Sequence, residues 1–467
     1  MSSLLRKRFI EELFYFLSSY EDKYVWLKAV VSHPTEISTC SDLDLLVKKD
    51  FLPTVRNFCI THHLVAFHNF KAFSHCTYLE LFFEDGGFLQ VDLLTGLVRK
   101  ELRYLTNDYV FSHRTKINGV STYQPQVMLE HVMLFNFLNR SGIPYKYVRF
   151  FSQFNDREQY KLFTFINEKY GTDFCSIQSM TVFKPHRLVA VQKYLLSQKE
   201  NSLVKRAFRA TSWLFDTAIA PLNDYGKIIT FSGVDGAGKS TILGDLKEVL
   251  KNKYRKKVVM LRHRPSILPI LSAWTQGKEN AEAKAAATLP RQGKNHSKLS
   301  SIIRFAYYYT DYLLGQWVVW AKYLLRGYLV LYDRYYFDFI ADGRRSNIAL
   351  GEAIPKWLYR FVWKPDLNIF LYAHPVHIRK RKQELSAEAI SELTHRYLKL
   401  FEAFSQQHAG MYLPIENMNR QATLEAILKA FAATAAKPSV KTVSKHLNHD
   451  KTTTNLDYSK KEPQFSV

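Results

Sequence analysis

Cysteine is scarce in this chain. Cys40, Cys59, Cys76 and Cys175 are its only four in 467 residues, no two have CxxC spacing, and no histidine cluster surrounds them. Neither a disulfide framework nor a zinc site is expected. Long apolar runs are also missing. The most hydrophobic stretch, Tyr312 to Ala321, lies between Asp311 and Lys322 and has about half the length that spans a bilayer. At the amino terminus, Met1 to Glu12 places charges on both sides of an apolar run too short for a secretory leader. A soluble, cytoplasmic protein without a membrane span is the expectation. No internal repeat is visible.

Acidic residues are in deficit, with 42 Asp and Glu against 65 Lys and Arg and a formal charge of +23. Such a surplus suits phosphates, whether on nucleic acid, on an anionic membrane or on a small molecule. The basic residues are spread along the chain and no nucleic-acid reader motif appears. Specific nucleic-acid binding is therefore not expected, and clefts for anionic small molecules are. Hydrophobic residues make up 47% and aromatic ones 15%, which excludes general disorder and points to a large core rich in ring packing. The length suits two or three domains.

Residues 1–124 mix a helical start with strand-like runs at Leu43–Val47, Tyr78–Phe83 and Phe88–Leu94, the last two joined by a hairpin turn at Glu84–Gly87. This is an α+β block. Residues 125–222 show helical periodicity with few turn signals and read as a helical connector. From 223 to 436, strand candidates at Lys227–Ser232, Lys257–Leu261, Tyr328–Tyr332, Leu367–Tyr372 and Met411–Pro414 alternate with helices, which implies a parallel α/β layer fold. Thr275 to Ser300 reads as a mobile polar loop, and 437–467 as a disordered tail.

Gly233-Val234-Asp235-Gly236-Ala237-Gly238-Lys239-Ser240-Thr241 fits GxxxxGK[ST] between an apolar strand and a helix from Ile242 to Lys251. The glycines let several backbone N–H groups point inward at phosphate oxygens, and the helix adds its positive end. Lys239 is then placed to reach the β and γ phosphates and Ser240 to ligate Mg2+. A second carboxylate belongs at the end of a neighbouring strand, and Asp333, followed by Arg334, supplies it. His377 to Lys382 is dense in positive charge. Read as a helix start, it opposes the helix dipole, so a lid acting on a transferring phosphoryl group is expected.

Together Phe231 to Thr241, Asp333-Arg334-Tyr335, Pro365-Asp366-Leu367 and Tyr397 resemble the thymidylate kinase family over about residues 226–432. The resemblance implies ATP- and Mg2+-dependent phosphoryl transfer to a nucleoside monophosphate. It makes Asp235 a contact to an acceptor sugar hydroxyl, gives Asp333 and Arg334 the metal and acceptor phosphate, and gives Arg379 and Arg381 the transition state. Two departures concern the acceptor. Leu261-Arg262-His263-Arg264-Pro265 replaces Arg-Glu-Pro, and Phe305 to Tyr312 lacks the family's helix arginine. Arg262 or Arg264 is the candidate replacement, and an acceptor other than thymidylate is expected.

In the amino-terminal block, Asp42 and Asp44 lie two apart in Ser41 to Val47 and so share one side of a strand. Asp92 stands in the later strand run. Three converging carboxylates are what two Mg2+ ions need for in-line attack on a phosphate. The pattern resembles the nucleotidyltransferase superfamily with the polymerase-beta-like fold over about residues 20–100. Leu27-Lys28-Ala29 stands where the family's Gly-Ser step belongs. The domain either still catalyses or is a degenerate copy that binds a nucleotide or recognises the acceptor. The expected whole is an ATP-dependent phosphotransferase with a small-molecule phosphate acceptor, compatible with a homodimer. The alternative is a nucleotide-binding switch or scaffold that transfers nothing.

Overall fold

The computed structural model describes residues 4–223, 225–265, 297–382, 384–435 and 437–438. They form two compact units: one from the described residues of 4–37, 42–202 and 437–438, the other from those of 38–41 and 203–435. The stretch expected as a mobile loop and the expected tail lie outside the described residues, apart from Ser297–Ser300, which opens a helix, and Lys437–Pro438. Among the described residues no helix is long and apolar enough to cross a membrane.

The first unit begins with α1 (Leu4–Ser18), β1 (Tyr24–Trp26), β2 (Leu43–Val47), α2 (Leu52–Thr61), β3 (Val65–Ala72), β4 (Cys76–Phe83) and β5 (Phe88–Leu94). The sheet order is β1-β2-β5-β4-β3, with Lys437–Pro438 paired to β3. Only β2 and β5 run parallel within it. The β4–β5 hairpin closes where Gly86 adopts φ +72° and its N–H donates to the Phe83 carbonyl at 3.1 Å. Two short hairpins follow, β6 (Leu97–Arg99) with β7 (Leu102–Leu105), then β8 (Arg114–Ile117) with β9 (Val120–Tyr123), with α3 (Asn107–Ser112) between them.

Next come α4 (Pro125–Leu138), α5 (Tyr145–Phe151), α6 (Asp156–Tyr170) and α7 (Pro185–Ser197). The connector expected from periodicity is divided: 125–202 groups with the first unit and 203 onward with the second. The reason is burial. Met128, Leu129, Leu134 and Ile166 share one core with Val25, Leu27 and Leu46 of the sheet region, so these helices have no separate core of their own.

The second unit runs α8 (Leu203–Asn223), β10 (Lys227–Ser232), α9 (Lys239–Glu248), β11 (Lys257–Arg262), α10 (Lys298–Lys322), β12 (Tyr328–Asp333), α11 (Phe337–Ala341), α12 (Ala353–Leu358), β13 (Leu367–Tyr372), α13 (Pro375–Arg381), α14 (Ala387–Gln407), β14 (Tyr412–Glu416) and α15 (Arg420–Ala435). Its five strands pair in parallel, in the order β11-β12-β10-β13-β14. Helices flank a sheet whose central strands are almost wholly buried, which is why β10, β12 and β13 read as continuous apolar runs. Strand order reverses at β10, so a crevice opens beyond its carboxyl end. The core is aromatic, built on Tyr312, Tyr335, Tyr336, Phe337, Tyr397 and Phe401.

Candidate active site

Beyond β10 the chain curls through Gly233 to Thr241. A Cβ on Gly233 would stand 2.2 Å from the Leu371 carbonyl oxygen, so only glycine lets the loop pass β13. Gly238 caps α9 with φ +87°, and a Cβ there would meet Asn417 Nδ2 at 2.4 Å. That amide nitrogen donates to the Ala237 carbonyl at 2.8 Å, and Asn417 Oδ1 accepts the Thr423 hydroxyl at 3.1 Å. Gly236 and Ala237 form the turn between these points, and Ser240 and Thr241 are exposed in the first turn of α9. Lys239 is buried, and its Nζ donates to the Gly233 and Val234 carbonyls at 2.8 and 3.0 Å. Burial, helped by the nearby Arg334 guanidinium, brings its ammonium down to about 7.

Asp333 ends β12 beside Phe231 of β10. Its Oδ1 is buried and has no hydrogen-bond partner among the described residues. Arg334 then takes the left-handed conformation, φ +80°, anchored by its N–H donating to the Phe231 carbonyl at 2.8 Å. This turn brings its guanidinium to Asp235 Oδ1 at 2.6 Å and to Asp338 Oδ2 at 2.9 Å. The other Asp235 oxygen accepts from Arg345, and Asp338 Oδ1 accepts the Tyr397 hydroxyl at 2.8 Å. Burial raises the Asp235 carboxyl, but Arg334 and Arg345 outweigh it and hold the group well below the usual carboxylate range. Asp338 shows the same balance: burial pushes up, while Arg334, His263 and Arg345 pull further down.

These groups test the expected ligand set. An oxygen-donor pair, the Ser240 hydroxyl and the Asp333 carboxylate, suits a hard cation such as Mg2+. The unpartnered Asp333 oxygen and a loop that excludes Cβ atoms fit a metal–triphosphate group. The acceptor side differs from expectation. Arg264 donates to Asp311 Oδ2 at 2.7 Å, with both residues buried, and its guanidinium lies 5.0 Å from the Tyr308 ring centroid. Arg262 is exposed. The arginine brought to Asp235 beside Arg334 is Arg345, which no motif singled out.

The basic run also sits differently. Arg379, Lys380 and Arg381 occupy the last turn of α13, not its start. There the helix dipole favours positive charge, so the electrostatic conflict inferred from sequence does not exist. Ile378 of α13 is buried with Val234, Ala237, Ala373 and Ile390, which clamps the helix over the loop. Arg379 and Arg381 are exposed, and Arg381 Nη1 would be 3.6 Å from a Cβ on Gly238.

In the first unit, Asp44 pairs directly with Asp92 across parallel β2 and β5, and one oxygen from each of Asp42, Asp44 and Asp92 lies within 4.8 Å of the others. Burial and the neighbouring acids raise Asp92 well above its ordinary range, against a 2.7 Å hydrogen bond from Gln90. Asp44 is raised by burial and Asp42 despite the opposing pull of Lys28. Lys28 Nζ lies 3.2 and 3.1 Å from the two Asp44 oxygens. A residue noted only for standing where Gly-Ser belongs thus puts an ammonium into the acid cluster.

The sheet order, the phosphate loop and the carboxylate at the neighbouring strand end define a P-loop kinase-like architecture. No family model matches the chain. Thymidylate kinase from Enterococcus faecalis (strain ATCC 700802 / V583) is 27% identical over 219 residues, spanning 44% of this chain and 93% of that protein. Among solved structures, thymidylate kinase from Candida albicans covers 45% of this chain and 92% of its own, at 18% identity and a TM-score of 0.30. The sequence likeness supports a thymidylate kinase-like segment, and at family level a nucleotide kinase-like phosphotransferase.

Proposed function

We propose that the chain is an ATP- and Mg2+-dependent phosphotransferase whose acceptor is a nucleoside monophosphate or another phosphorylated or sugar molecule. The observation that carries this reading is the buried, unpartnered Asp333 carboxylate oxygen at the strand end beside the phosphate loop. Ser240 and Asp333 would hold Mg2+, which when bound neutralises charge on the phosphates. Lys239 leaves the loop carbonyls for the β and γ phosphates, while the amides from Gly233 to Thr241 orient them. Asp235 and Arg334 face the acceptor, and Arg379 and Arg381 meet charge on the transferring group. The test is ATP consumption with a panel of nucleoside monophosphates and phosphosugars. At least one acceptor should turn over faster than in a Lys239→Ala control. Saturable ATP binding with only slow, acceptor-independent hydrolysis would favour the non-catalytic switch.

A second reading concerns the first unit, and the convergence of Asp42, Asp44 and Asp92 favours it: a nucleotidyltransferase-like site for Mg2+ and a nucleotide. Lys28 competes there as a resident cation. Metal-dependent label transfer from a nucleotide should disappear in Asp42→Asn with Asp44→Asn. Transfer that survives in that variant removes these carboxylates from any catalytic role.

A further inference from the structure

Four of the seven tryptophans, Trp317, Trp320, Trp357 and Trp363, fall in two segments of the second unit. The first is the end of α10 with the turn behind it, and the second is α12 with the turn Tyr359–Phe361 and the residues up to Lys364. Trp317 packs against both Trp320 and Trp363, with ring centroids 6.0 and 5.9 Å apart, so the two segments form one patch. Trp317 is 62% exposed, Trp357 53% and Phe361 58%, with Leu314 and Ile354 alongside at 60% and 54%. A soluble surface rarely leaves so much aromatic area in water without a use for it.

Within the two segments the charges have one sign, with Glu352 and Asp366 at the borders of the second. Residues 312–332 contain no Asp or Glu but include Lys322 and Arg326, and residues 353–365 contain none but include Lys356, Arg360 and Lys364. Arg360 lies over the Trp357 ring at 4.6 Å. A cavity of about 590 Å³, lined by Lys356, Trp357, Arg360, Lys364 and His408 among others, opens beside them. Amphipathic rings interleaved with Lys and Arg match the interface of an anionic bilayer, where rings settle at headgroup depth and cations meet lipid phosphates.

Topology sets the direction. Lys322 and Lys364 each precede the start of a parallel strand, β12 and β13. The patch therefore lies at the amino-terminal edge of the sheet, opposite the edge that carries Gly233 to Thr241 and Asp333. We propose that this patch docks the protein on an anionic phospholipid surface. Trp357, Phe361 and Trp317 insert their rings, the four exposed cations Lys322, Arg326, Lys356 and Arg360 contact headgroups, and the phosphate-binding cleft faces away from the lipid.

The test is flotation of the full chain with vesicles of phosphatidylcholine alone or mixed with phosphatidylglycerol. Binding should need the anionic lipid, fall steeply with added salt, and shift tryptophan emission to the blue. Trp357→Ser with Phe361→Ser, and separately Lys356→Glu with Arg360→Glu, should each weaken partition about tenfold or more, with thermal midpoint and ATP affinity unchanged. Equal binding to neutral vesicles, no binding at all, or intact partition in both variants would overturn the proposal. So would a concentration-dependent dimer that shields Trp317 and Trp357 from a soluble quencher as fully as vesicles do.

Discussion

Among the described residues Asp333 leaves a buried carboxylate oxygen without a partner, whereas both oxygens of Asp338 are occupied, by Arg334 and Tyr397. The two acids should therefore fail differently when neutralised. Asp333→Asn removes no internal contact of that oxygen, so the thermal midpoint should stay within a degree or two while phosphoryl transfer falls about 10²- to 10³-fold. Asp338→Asn leaves a buried guanidinium short of its counter-charge and should cost about 3 kcal/mol of stability, read as a lowered midpoint in urea with unchanged slope. A large loss of stability in the first variant would mean that Asp333 is structural. At this scale the phosphate loop was legible because each glycine answers a local need of the backbone. Asn417 and Arg345 were not: they reach the loop through bonds spanning 180 and 110 residues, and a polar side chain carries no local mark of so distant a partner.

The strands of the second unit were legible as elements for a related reason. Burial on both faces demands runs such as Ile228 to Phe231 and Val330 to Tyr332, and no helical period competes with them. Helix boundaries were less so, because α9 begins at Lys239 inside the motif and α13 ends where a helix start was expected. Those bounds matter for α13. Ile378 holds it on the loop, and the two arginines behave as different surfaces of one short helix. Arg381 lies near Gly238, while Arg379 is exposed two residues earlier on the same helix. Arg381→Ala should lower kcat about 10²-fold with the ATP Kd changed only a few-fold, and Arg379→Ala should do less. Equal losses in both variants would show that α13 rotates before reaction. Ile378→Ala, which loosens the clamp itself, should weaken ATP binding, by about 2 kcal/mol if the helix lifts.

At the scale of the whole molecule, the helices of 125–202 share a core with the sheet of the first unit, which the sequence could not show, since periodicity reports that a helix has an apolar face and not which sheet it covers. The consequence is measurable through His131 of α4, which that shared burial places deep in the first unit. Lys28 N–H donates to the Tyr123 hydroxyl at 3.0 Å, that hydroxyl lies 2.8 Å from His131 Nδ1, and the Tyr104 hydroxyl lies 3.3 Å from Nε2. The ring is buried, with no carboxylate among these partners. Burial, aided by Lys28, puts its pKa well below the ordinary 6.5. A depressed histidine is charged more readily in the unfolded chain, so its contribution to stability is whole above pH 6.5 and declines as pH falls towards the folded value, by up to about 1.4 kcal/mol per pH unit. Asp44 and Asp92 act in the opposite sense, because their raised values favour the folded state at low pH and lose that advantage as pH rises. The net curve mixes the two, so the histidine is isolated by difference. The gap in unfolding free energy between the parent chain and His131→Gln should stay constant above pH 7 and shift in favour of the variant below 6.5, on the transition that Asp338→Asn, in the second unit, leaves in place. A gap independent of pH would mean that His131 keeps an ordinary affinity for protons, and that the helices of 125–202 do not seal the core around it.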